Sequence, residues 1–154
     1  MENKADIERT LAEISNAKIQ DNFDIIDSRL SAKRLEWFEE NKHKLNLSGS
    51  DVRKAYTLLI VEYLGNVFGL DASEAAVVYE DENKIVWRSY NWCPVLEACK
   101  IGQYDTREIC KKGWEKSVQA LIEKINPKLV FSRDYEKLRP YGDYCEESIE
   151  LRAK

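Results

Sequence analysis

The chain has 154 residues, 44% of them apolar and 34% charged, with a formal net charge of −4. That length suits one domain with its own core, and the acidic balance, with Lys and Arg scattered along the chain, excludes the basic footprint of a nucleic-acid binder. No apolar run approaches the roughly 20 residues that a bilayer-spanning helix needs, so the reading assigns no membrane partner.

Met1-Glu2-Asn3-Lys4-Ala5-Asp6 lacks the apolar core of a signal peptide, so a cytoplasmic protein is expected. Its 4 cysteines then read as thiols or ligands rather than disulfides. The lone histidine, His43, lies in the charged run Glu39–Lys44, where it reads as a solvated residue. No Ser-His-Asp triad and no multi-histidine metal site can be built.

The first half reads as helices. Ile7, Leu11 and Ile14 recur at helical spacing. A second helix is expected from near Phe23 to Leu45, with Ile26, Leu30 and Trp37-Phe38 as its apolar side. Ser48-Gly49-Ser50 breaks the pattern, and Ser50 can cap a third helix that starts at Asp51. That helix carries Val52, Tyr56, Leu59, Tyr63 and Leu64, and Gly65 is expected to end it in a left-handed turn.

The character changes after Asp71. Ala76–Tyr79 and Lys84–Tyr90 are β-branched and aromatic, and the polar Glu80-Asp81-Glu82-Asn83 between them predicts a hairpin. Cys93-Pro94 opens a short helix ended by Gly102. Asp105-Thr106-Arg107-Glu108 is a capping-box pattern, and the helix it starts shows Cys110, Trp114, Ser117-Val118, Leu121 and Ile125 on one face. Asn126-Pro127 stops that helix. Lys128–Asp134 alternates as a strand, and Asp143–Leu151 is its expected partner. The predicted fold is a single α+β domain: helices over 1–70, then an antiparallel four-stranded sheet of two hairpins over 71–154 flanking a central helix.

Cys93 is the residue with a physical argument for chemistry. Pro94 biases it toward the extended conformation of a helix cap, and its thiol would feel the positive helix end, which lowers a thiol pKa. The free amides nearby could stabilise an oxyanion. Lacking a usable histidine, a base would have to be Glu97 or Glu147. The plain alternative is a small buried residue at a strand–helix corner. The spacing Cys93-x5-Cys99-x10-Cys110-x34-Cys145 contains no Cys-x2-Cys pair and matches no ordinary zinc or iron–sulfur pattern. The reading therefore assigns no cofactor, with metal held by the cysteines as a minor alternative. Cys99 and Cys110 fit the apolar faces of their helices. On the last two strands, Glu147 and Arg133 are the polar exceptions in apolar rows. Facing inward, they would pair with each other or grip a charged ligand. Tyr90 and Trp92, at the hairpin end, are candidate pocket lining for Cys93.

The block from Val86 to Leu151 resembles the L-2-amino-thiazoline-4-carboxylic acid hydrolase-like family. The resemblance rests on Trp92-Cys93-Pro94 with Leu96-Glu97-Ala98, the Gly102 break, Cys110, Asn126-Pro127-Lys128-Leu129 and Tyr141-Gly142-Asp143-Tyr144-Cys145. The Gly-Asp-x-Cys ending also looks like that of the 4-vinyl-reductase-like small-molecule-binding domains. The resemblance implies a cytosolic domain for a small carboxylate-bearing or sulfur-containing molecule. Named members of the family hydrolyse a thiazoline ring to an N-carbamoyl amino acid. Carried over by position, Cys93, Cys110 and Cys145 are the matching residues.

Two functions are expected. One is a cysteine-dependent hydrolase, with Cys93 as nucleophile, Glu97 or Glu147 moving protons, and Trp92, Tyr90, Arg133, Cys110 and Cys145 binding substrate. The other is a non-catalytic small-molecule-binding or sensing domain with the cysteines as lining, redox sensor or metal ligands. A homo-oligomer stays open.

Overall fold

The computed structural model describes residues 4–152. Met1–Asn3, where the expected helical part begins, and Ala153-Lys154 lie outside the described residues. The fold is α+β, with helices packed on a four-stranded antiparallel sheet.

Helices α1 (Lys4–Gln20) and α2 (Asp24–Asn41) are joined at Asp21, whose positive φ of 49° makes the turn. The α2 pattern runs on through a 3-10 turn, Lys42–Lys44, rather than as regular helix to Leu45. Ser50 caps α3 (Asp51–Tyr56) by accepting from the Arg53 amide. The helix then widens into a π-helical stretch, Thr57–Leu64, and closes as α4 (Gly65–Phe68). Gly65 keeps a right-handed φ of −62° and does not end the helix. The left-handed turn comes at Gly69, with a φ of 71°. The apolar run from Thr57 is long enough to carry the coil one turn past Gly65.

Strands β1 (Ala75–Glu80) and β2 (Lys84–Ser89) form the first hairpin. A register shift between Val77 and Tyr79 leaves Val78 and Tyr79 exposed. β3 (Leu129–Arg133) and β4 (Cys145–Leu151) form the second hairpin, and β2 pairs with β4, so the order is β1-β2-β4-β3. The two hairpins thus share one sheet. Its inner face carries Ile85, Trp87, Leu129, Phe131 and Ile149, all buried.

Between the hairpins lie α5 (Pro94–Gly102), α6 (Thr106–Gly113) and α7 (Glu115–Ile122). The expected continuous helix from Asp105 to Ile125 is two helices. The chain breaks at Trp114 (φ −127°, ψ −23°), just after buried Gly113, which faces Phe23 and Ile26. The residues after Ile122 form turns. Asp105 caps α6 by accepting from the Arg107 amide, as the capping pattern predicts.

The buried side chains form two clusters. The larger joins the sheet to α3, the π-helical stretch and α7. The smaller joins α1 and the start of α2 to α5 and α6 through Ile14, Ile26, Val95, Ala98, Cys99 and Ile109. Among the described residues no helix is long and apolar enough to cross a membrane.

Candidate functional site

The strand ends place the polar residues. Arg133 and Glu147 are direct cross-strand partners on β3 and β4, and Glu147 also faces Trp87 on β2. Alternation along both strands turns these two polar side chains toward the helices. They meet there: Arg133 Nε and Nη2 each lie 2.7 Å from Glu147 Oε2, with side chains only 11% and 13% exposed. The other carboxylate oxygen accepts from Trp87 Nε1 at 3.0 Å and from Ser89 Oγ at 3.1 Å. Glu147 is therefore fully engaged by donors. It anchors Arg133 and has no free oxygen with which to carry protons for Cys93.

Arg133 has capacity left. Its Nη1 is buried without a hydrogen-bond partner. Burial is the largest single influence and works to lower the guanidinium pKa, but the charge and hydrogen bond of Glu147 together with the Cys110 and Tyr135 groups outweigh it, and the net shift is upward. Arg133 is a fixed cation. Its neighbour Tyr135 donates to Glu115, and burial holds that phenol well above its usual range.

Cys93, Cys99 and Cys110 belong to the smaller packing cluster, and the Arg133 charge acts on the Cys110 sulfur. Burial pushes Cys99 and Cys110 up to about 12. Among the described residues no three His, Cys, Asp or Glu side chains are grouped so as to hold a metal ion.

Cys93 takes the cap position the sequence predicts, with extended angles (φ −136°, ψ 119°) and Pro94 opening the helix. The predicted lowering of its pKa is overturned. Burial raises it, and this outweighs the opposing pull of the Leu96 amide, the Arg139 charge and the Val95 amide. The sulfur makes no capping hydrogen bond of full geometry. Desolvation of a thiolate costs more than a short helix end returns.

Two expected site residues stand elsewhere. Glu97 faces Lys100 at 3.5 Å, with its side chain 30% exposed, and makes no hydrogen bond to Cys93. Tyr90 is 49% exposed and packs on Tyr144, so it does not line the thiol region. Trp92 is half-buried, and its indole N–H is enclosed without an acceptor.

Sequence reasoning missed Arg139. It lies on the loop over 134–144 that joins β3 to β4. Its Nη1 donates to the Asn91 carbonyl at 2.7 Å and its Nε to Cys145 Sγ at 3.3 Å. The loop is further held by Thr106 Oγ1, which donates to the Arg139 carbonyl at 2.8 Å, and by fully buried Leu138. The only signal in the sequence was an arginine inside an aromatic, glycine-bearing loop.

Surface hollows lie on the fold among the described residues. One of about 370 Å³ lies between the α1–α2 turn and Lys111, Lys112 and Lys116, away from the thiols. Another, about 180 Å³, is on the sheet beside Arg133, Glu147, Ser132 and Ser148. The chain matches no family model, no curated protein and no solved structure.

Proposed function

We propose that the chain is a binding domain for a small carboxylate-bearing molecule. The ligand enters between the thiol-lined ends of α5 and α6 and the inner ends of β3 and β4. The observation that carries this reading is Arg133: a buried, permanently charged guanidinium, oriented by Glu147, with one N–H face unused. A buried unpaired donor is unfavourable unless something accepts from it. A carboxylate would supply that acceptor and a compensating charge. The indole N–H of Trp92 is likewise enclosed without an acceptor. Since Arg133 Nη1 is covered, the ligand enters only when part of the helical cover moves aside.

The hydrolase reading keeps one point in its favour, the Leu96 and Val95 amides acting on Cys93. Against it stand a thiol kept protonated by burial, a Glu97 paired elsewhere and a Glu147 without a free oxygen. Binding is the function the geometry favours.

Thermal unfolding of the purified protein with small carboxylates (acetate, lactate, proline, a thiazoline-4-carboxylate) and their neutral amides tests this. A ligand that binds the folded state raises the midpoint with concentration and saturates. At least one carboxylate is expected to do so while its amide does not, and Arg133→Lys, which keeps the charge but not the fork, loses the shift. Carboxylates and amides behaving alike would contradict the reading.

A further inference from the structure

The two edges of the sheet are treated differently. On β3, the Gln119 carboxamide donates to the Leu129 carbonyl and accepts from the Phe131 amide, each at 2.8 Å, and so covers that edge as a neighbouring strand would. Strand β1 forms the opposite edge and pairs only with β2. At one end of β1 Tyr90 donates to the Glu74 carbonyl, and at the other Asp81 donates to the Lys84 carbonyl. Counted from either end, alternation leaves Val77 and Val78, at the register shift opposite Trp87, outside the ladder to β2. Val78 and Tyr79 are 48% and 51% exposed. The chain's acidity is concentrated around this strand. Residues 71–83 hold Asp71, Glu74, Glu80, Asp81 and Glu82 and no basic residue, which exceeds the net charge of −4 of the whole chain. Arg53 pairs with Glu80, but among the described residues the other four enter no salt bridge, and all four are exposed. Hydrogen bonds from Ser73 to Asp71 and from Tyr79 to Asp81 hold both carboxylates below their usual range, so they stay charged.

We propose that the β1 edge docks an extended peptide segment of another protein, apolar at its centre and basic at both ends, which adds a strand beside Val77 and Val78. The backbone groups of Val77 and Val78 supply the pairing, and the exposed Val78 and Tyr79 meet the apolar centre. Asp71 and Glu74 at one end of the strand, and Asp81 and Glu82 at the other, attract the basic flanks. A second copy of this chain does not fit, because antiparallel pairing of two β1 strands would set Glu74 of one against the acidic run Glu80-Asp81-Glu82 of the other. The inference is independent of the binding reading, since β1 and the strand of Arg133 lie at opposite edges of the sheet.

The test titrates the ¹⁵N-labelled full chain with a synthetic peptide in which a Val-Thr-Val-Thr-Val core lies between Lys-Lys ends. The expected result is a saturable shift confined to the amides from Glu74 to Glu82. Glu74→Lys combined with Glu82→Lys should weaken this binding about tenfold. The same core between Glu-Glu ends should leave the wild-type amides unmoved. A Lys-ended peptide with N-methyl groups on alternate core residues keeps the charge but not the strand donors, and should lose the shift. No saturable shift with the Lys-ended peptide, or one centred on residues outside 74–82, would overturn the proposal. So would equal binding of the Glu-ended peptide, or equal binding of the N-methylated one, which would leave charge attraction without strand addition. The three peptides on the wild-type chain decide the matter if the charge-reversed variant fails to fold.

Discussion

At the scale of single residues, the pairing of Arg133 with Glu147 shows what alternation in a sequence can and cannot convey. Two polar interruptions in apolar rows pointed to an inward pair, and the structure joins them at 2.7 Å. Removing one member of such a pair leaves an uncompensated buried charge, whereas replacing both can be close to neutral. Arg133→Met is therefore expected to cost about 3–5 kcal/mol in urea denaturation, and Arg133→Met with Glu147→Gln to recover most of it. Equal losses in the single and double variants would mean that the charges are not coupled. The thiols teach the opposite lesson. Cap geometry at Cys93 was legible from Pro94, but its depth of burial was not, because burial comes from helices distant in sequence. Cys99 and Cys110, held up to about 12, ionise in the unfolded chain near 9.0 but stay protonated in the folded one. The unfolded state then binds fewer protons, so stability is full below pH 9 and falls as pH rises toward 12. Chemical denaturation from pH 8 upward should show this decline, and Cys99→Ala should make it shallower. An unchanged slope in that variant would contradict the assignment.

At the scale of elements, starts were easier to read than ends. Ser50 and Asp105 announce their helices by side chains that cap locally, and both do so. Ends depend on contacts the sequence does not display. Gly65 looked like a stop, but Gly69 adopts the left-handed conformation. Gly102 does end α5 as expected, with Gln103 just beyond it taking the left-handed φ of 57°. Gly102 is required for a different reason. A Cβ there would sit 2.5 Å from the Tyr104 ring and 3.0 Å from Leu11 Cδ1. Gly102→Ala is thus expected to destabilise by about 1–3 kcal/mol through overpacking between α1 and α5, measured by urea denaturation. A neutral result would show that Tyr104 moves freely aside. The break at Gly113 belongs to the same class, because the apolar periodicity continues across it. Which residues share a face of β3 and β4, set by a period of two, was legible, whereas the register shift between Val77 and Tyr79 was not.

At the scale of the whole molecule, the candidate site lies where the two packing clusters meet. The inner ends of β3 and β4 come from the larger cluster, and α5 and α6 come from the smaller one. Helix α1 is held chiefly by α5 and stands apart from the sheet, so this half of the cover can loosen without breaking strand pairing. Native-state hydrogen exchange should find α1 and α5 opening at lower free energy than the central strands β2 and β4. Uniform protection across all four would show that the site is not built on a separable cover. The central claim concerns one guanidinium, and the most direct measurement observes it. In protein carrying ¹⁵N-arginine, the Arg133 Nε and Nη resonances are followed while the best-stabilising carboxylate is titrated in. The account predicts a saturable shift of the Arg133 signals that the matching amide does not produce. Saturation of a shift at other arginines, with Arg133 unmoved, would contradict it.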